Sequence, residues 1–311
     1  MNLLQTEIQK KMLLLAAAWG AAALINLQLL SRLLQFSLKN EFASHILLIP
    51  FISAALVFRN RAEIFSRTQF SALPGAGVSF VAIAVLVFSG IAGFGEDGTN
   101  LMSLKTAALV TLLIGIFLFM LGAKSFYKAL FPLLFLLFMV PIPEAVLKPV
   151  VLSLQNGAAE TSAILFKLTG TPFLRDGFSF ALPGVNIEIA TQCSGIRSSL
   201  ALCITCLLAG YLMLESGWKR LVFVLAAIPM AMFKNGVRIV TLSLLAIHVD
   251  MSWLTSSNLH HDGGILFFLG ALVMLWPLLW LLRRSEVSRP RPPDVAADAA
   301  QTAEIRPTIM R

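Results

Sequence analysis

Charge is what this chain has least of. Only 13% of its 311 residues are Asp, Glu, Lys or Arg, against 58% hydrophobic, whereas a soluble globular domain carries roughly 25% charged residues. That shortage excludes an ordinary soluble domain as the default class and puts a polytopic membrane protein in its place. Histidine is scarce too, at four residues, and cysteine numbers three. A His- or Cys-rich metal site is therefore disfavoured, and neither metal nor cofactor is expected. No repeat of fixed period runs through the sequence, which disfavours inverted-repeat transporter plans. Nor is there a basic stripe interleaved with aromatics, so the net charge of +8 is not read as a nucleic-acid footprint.

What is present is a series of long apolar blocks separated by short polar loops. Many approach the roughly 20 residues that span a hydrocarbon core. About eight are expected to cross, at residues 12–31, 43–59, 74–94, 102–122, 126–142, 193–214, 220–248 and 264–283. Basic residues fall in alternate loops: Lys10 and Lys11; Arg59, Arg61 and Arg67; Lys124 and Lys128; Lys219 and Arg220; Arg283, Arg284, Arg289 and Arg291. The positive-inside rule puts those loops, and both termini, in the cytoplasm of a multi-pass inner-membrane protein. The first apolar run follows a basic pair but has no clean small-residue cleavage site, so it reads as a retained span. Residues 285–311, rich in Pro, Ala and charge, read as a disordered cytoplasmic tail.

The expected fold is an all-α polytopic membrane protein with an extracytoplasmic amphipathic helix and a short β-hairpin before the sixth span. Pro141-Ile142-Pro143 stops the fifth span, and residues 145–169 then mix apolar positions with Lys148, Gln155, Asn156, Glu160 and Lys167, as an interfacial helix does. Asp176-Gly177 and Pro183-Gly184 are turn signals, flanked by Phe178-Ser179-Phe180 and the alternating Val185-Asn186-Ile187-Glu188-Ile189. That pattern is a hairpin leading directly to Cys193.

Three polar anomalies sit at or near one face of the membrane. In Gln192-Cys193-Ser194-Gly195-Ile196-Arg197, a thiol with a hydroxyl beside it heads an apolar run, and helical spacing would put Arg197 one turn below Cys193. A thiolate near a helix N-terminus and a cation is activated as a nucleophile. Cys203 and Cys206, set among Leu, Ile and Ala, read as packing residues. In the next span Lys234, Asn235 and Arg238 share one helical face. Lys234 is assigned to snorkelling, with a kink at Asn235-Gly236 as the other unremarkable reading. Arg238 reads as functional, because an intramembrane cation normally faces a partner or a wet site. Last, His260-His261-Asp262 precedes the final span, and imidazole is the usual proton partner of a cysteine nucleophile.

Cys193-Ser194-Gly195-Ile196-Arg197, Asn235-Gly236-Val237-Arg238 and His260 with Gly264 and Phe267-Phe268 together resemble the motif set of the exosortase/archaeosortase family of integral-membrane cysteine transpeptidases. The resemblance is best over residues 131–282, within a membrane domain taken as residues 1–284. It implies a cysteine protease/transpeptidase that cleaves C-terminal sorting signals of exported proteins at the extracytoplasmic face through a thioester, then passes the product to an acceptor. Such substrates carry a short recognition motif, a transmembrane helix and a basic tail. The implied roles are nucleophile for Cys193, oxyanion or substrate stabiliser for Arg238, general acid/base for His260 with His261 as alternative, and support from Ser194, Arg197 and Asn235. A transporter or channel, or a non-catalytic exopolysaccharide assembly protein, is the alternative; few intramembrane charges before residue 190 argue against a transport pathway.

Overall fold

The computed structural model describes residues 2–66, 71–91, 98–190, 195–250 and 263–287. The chain is overwhelmingly helical, as its hydropathy requires: in a bilayer only internally hydrogen-bonded backbone is tolerated. In order come α1 (Asn2–Ile25), α2 (Leu27–Lys39), a 3-10 turn at Glu41–Leu47, α3 (Ile49–Arg59), α4 (Arg61–Phe65), α5 (Ala72–Ile91), α6 (Thr99–Lys128), α7 (Leu130–Phe135) continued by a 3-10 turn at Leu136–Met139, and α8 (Glu144–Leu168). Strands β1 (Leu174–Asp176), β2 (Ser179–Leu182) and β3 (Val185–Glu188) follow, then α9 (Ile196–Met213), α10 (Gly217–His248) and α11 (Gly263–Val287). Seven helical segments are long and apolar enough to cross a membrane, or eight if the pair Leu130–Met139 and Glu144–Leu168, bent by 89°, counts as one. The chain is thus an all-α polytopic membrane protein with one small sheet. The tail assigned to 285–311 is helical as far as Val287, and residues 288–311 lie outside the described residues.

By contacts the chain divides into two compact units, Met1–Gln155 with Thr191–Arg197, and Asn156–Ala190 with Ser198–Arg311. In the first, Leu15, Val57, Phe65, Phe117, Leu121 and Leu133 form a buried cluster. Its polar side chains tie neighbouring helices together through backbone carbonyls. Ser53 Oγ donates to Pro132 O at 2.6 Å and Trp19 Nε1 to Leu113 O at 3.0 Å. The backbone of α6 leaves helical geometry at Gly122, with φ 81 and ψ 173. Beyond that break the chain doubles back, because Ser103 Oγ near the start of α6 donates to Pro141 O at 2.7 Å and Asn100 Oδ1 accepts the Glu144 N–H at 3.1 Å. The two legs, Thr99–Leu121 and 123–141, are therefore antiparallel neighbours, and the second corresponds to the fifth expected span.

In the second unit the sheet is antiparallel in the order β1-β2-β3. Its registers pair Asp176 with Ser179 and Leu182 with Val185, leaving two-residue turns at Gly177-Phe178 and Pro183-Gly184. Gly177 and Gly184 have φ 59 and 78, left-handed values that such turns assign to glycine. The hairpin is correctly placed by the sequence; β1 is an additional strand. Phe180, Leu182, Val185 and Ile187 point to one face and pack with Ala159 and Phe166 of α8 and Val240 of α10, while Ser179, Ala181, Asn186 and Glu188 are exposed. Arg175 of β1 pairs with Glu160 of α8 at 2.9 Å and lies over the Phe180 ring. At the Gly217 end of α10, Lys219 donates to Ser285 Oγ at 2.8 Å and Leu282 O at 3.2 Å and lies 3.8 Å from the Glu286 carboxylate. Glu286 in turn accepts the Glu215 and Ser216 N–H groups at 2.9 Å each, so a side chain of α11 caps the start of α10.

Candidate functional site

The helix after the cysteine motif starts later than hydropathy suggests. Gly195 has φ 70, a left-handed conformation that ends helical continuity, and α9 begins at Ile196. Arg197 is the second residue of α9 and exposed; the one-turn relation expected between it and Cys193 involves a residue outside the described ones. Cys193 and Ser194, like His260 and His261, lie outside the described residues. Cys206 is buried and Cys203 half-buried, both as free thiols.

The second motif is fully described. α10 is one continuous helix from Gly217 to His248, so Asn235-Gly236 makes no break. One stripe of α10 is buried: Phe223, Ala227, Ala231, then Lys234 and Asn235, then Leu242. Its apolar character gives way to polar groups near mid-helix. Asn235 is 2% exposed; Arg238 is half-buried, with its Nε fully buried. Gly236 has a packing reason instead of a kinking one. A Cβ there would meet the Thr161 side chain of α8 at 2.6 Å, and one turn earlier Met232 lies against Gly157 of the same helix. Close approach of α8 at two successive turns fixes the rotation of α10 about its axis, and hence where Asn235 and Arg238 point.

Lys234 is the residue that sequence reasoning misread. Snorkelling would need its ammonium to reach an interface, but Lys234 stands about 26 Å from Gly217 and about 21 Å from His248 along the helix, far beyond a lysine side chain. It is 5% exposed and donates to Ser198 Oγ in the first turn of α9. Arg238 and Cys203 are its electrostatic neighbours. The i, i+4 spacing of Lys234 and Arg238 was the available signal, since both must then face the same surroundings. The structure thus brings Asn235, Arg238, Lys234 and Ser198 into one cationic, hydroxyl-bearing locus inside the spans. Within it the Arg238 guanidinium is of a kind that can stabilise negative charge developing on a carbonyl oxygen. Among the described residues no three His, Cys, Asp or Glu side chains converge as a metal site requires.

Comparison with known proteins places the chain against a family model. The family model described as transmembrane exosortase (Exosortase_EpsH) matches residues 37–277, a range that contains the segments around Cys193, Asn235 and Arg238, and His260. It reaches well upstream of residue 131, where the motif resemblance starts. No curated protein and no solved structure matches the chain.

Proposed function

The chain belongs to the transmembrane exosortase family, and from that premise we propose that it is a membrane-embedded cysteine transpeptidase that processes C-terminal sorting signals of exported proteins. The family match over residues 37–277, which takes in all three motif segments, carries the proposal. Cys193 is the nucleophile. Its thiol proton passes to His260, with His261 as the alternative, and the sulfur attacks the scissile carbonyl. Arg238 stabilises the resulting oxyanion. The tetrahedral intermediate collapses to a thioester as the histidine returns the proton to the leaving amine. An amine acceptor or water, deprotonated by the same histidine, then attacks the thioester and regenerates the thiol. Ser194, Arg197 and Asn235 support the site.

The substrate is a protein held in the membrane by its own C-terminal helix, with a recognition motif before that helix and a basic tail after it. The alternating basic loops support an inner-membrane topology with cytoplasmic termini and the active site outside. The test is coexpression of the full chain with a signal-bearing substrate, reading cleavage by mobility. Cys193→Ala is expected to abolish cleavage, and Arg238→Ala to lower its rate by roughly 100- to 1,000-fold. His260→Ala should cost far more than His261→Ala. Cleavage that persists in Cys193→Ala would overturn the transpeptidase reading and return the chain to the transporter or assembly-protein class.

A further inference from the structure

Lysine at the centre of a membrane helix costs roughly 2.5–3.5 kcal/mol on the insertion scale, so a sequence selected for packing alone would place an apolar residue at position 234. The partner that Lys234 has taken is informative. Several helical hydroxyls of this chain turn back onto their own helix: Thr111 donates to Ala107 O, Thr161 to Gly157 O and Ser243 to Ile239 O. Ser198 stands in the first turn of α9, and its hydroxyl accepts a hydrogen bond from the Lys234 ammonium of α10. That contact ties the first turn of α9 to the helix that carries Asn235 and Arg238, one turn from Arg238 itself.

We propose that Lys234 is a positioning residue of the reaction: through Ser198 it fixes the first turn of α9, the turn that follows the cysteine motif, against the helix bearing Arg238. This rests on the transpeptidase reading and adds to it a residue outside the motif set. Lys234 touches neither nucleophile nor substrate in this role. It holds the first turn of α9, the element that follows the cysteine motif in sequence, in place. A displacement of about 1 Å at a reacting centre costs roughly 100-fold in rate, so the anchor should be visible in turnover more than in binding.

The test uses the full-length protein in detergent micelles with the signal-bearing substrate. Lys234→Met should lower kcat by roughly 100-fold while KM stays within about twofold. Ser198→Ala should lower kcat by about tenfold, as loss of a charge-assisted hydrogen bond does. The double variant should be no slower than Lys234→Met, because the two residues act as one unit. Lys234→Arg and Ser198→Thr, which retain donor and acceptor, should each recover most of the lost rate. A substrate-free readout is the rate of Cys193 alkylation by iodoacetamide in a Cys203→Ser, Cys206→Ser background, which Lys234→Met and Ser198→Ala should change in the same direction. Gel filtration of each variant controls for folding. Unchanged kcat and alkylation in Lys234→Met, or fully additive single effects, overturn the positioning role. Cys193→Ala separately decides the transpeptidase reading, so the two failures are told apart.

Discussion

Two lysines of α10 are equally buried, Lys219 at 4% and Lys234 at 5% exposure, and they are satisfied in opposite ways. Lys219 has a carboxylate, a hydroxyl and a carbonyl around it, and the same Glu286 that faces it caps two N–H groups at the head of α10. Every charge in that cluster is answered within it, and its product is a closed helix end. Lys234 meets a hydroxyl, and its electrostatic neighbours are another cation, Arg238, and the thiol Cys203. Among the described residues no carboxylate forms an ion pair with it. The difference teaches that equal burial can hide opposite surroundings; the sign of the neighbours tells the two cations apart. A membrane protein has little reason to gather like charges on one buried face unless negative charge arrives there during its work.

Three substitutions would break or sharpen this contrast. The largest stability effect belongs to Lys219→Met, which strands Glu286 beside the α10 cap and should cost about 3–5 kcal/mol, read as a lower melting temperature of the intact protein in detergent with kcat unchanged. A fall in kcat with no change in melting would place Lys219 with Lys234 and dissolve the distinction. Gly236→Ala comes next, because its methyl must push Thr161 away; overpacking of this kind costs about 1–2 kcal/mol. Its rate loss should exceed what instability explains, since Arg238 is half a turn away, and a rate that merely tracks the folded fraction would show that α8 does not set the site. The smallest is Arg175→Ala. Its partner Glu160 is 67% exposed, so loss of the pair should cost less than about 1 kcal/mol, and a larger drop in melting temperature would make the sheet's attachment to α8 a structural keystone.

The spans and the hairpin were legible because their physics is local: hydropathy marks the blocks, and Pro183-Gly184 with Asp176-Gly177 marks the turns. β1 was not, since Leu174-Arg175-Asp176 is three residues with two charges and becomes a strand only through its pairing with β2 and the Arg175 contacts with Glu160 and Phe180. The start of α9 was misread for a related reason. Gly195 looks like a small helical residue in sequence, and only its φ of 70 shows that the helix begins after it. The shared helical face of Asn235 and Arg238 was legible from their spacing, and α10 runs unbroken through both. Lys234 was assigned to the interface because snorkelling is the common fate of membrane lysines, and its partner lies 36 positions away in the chain. Tertiary partners of that kind leave no periodic trace.

The break at Gly122 has a consequence for parity. Read as a single helix, α6 would be one crossing, and the seven straight spans would be an odd number. The return of the chain from Gly122 to the Ser103–Pro141 hydrogen bond supplies a second leg of about 27 Å, close to the thickness of a hydrocarbon core, and the count among the described residues rises from seven to eight. Under the positive-inside rule an even count is the one that basic residues at both ends of the chain favour. A single glycine in the middle of an apolar helix thereby sets the parity of the crossings that precede α9 and α10.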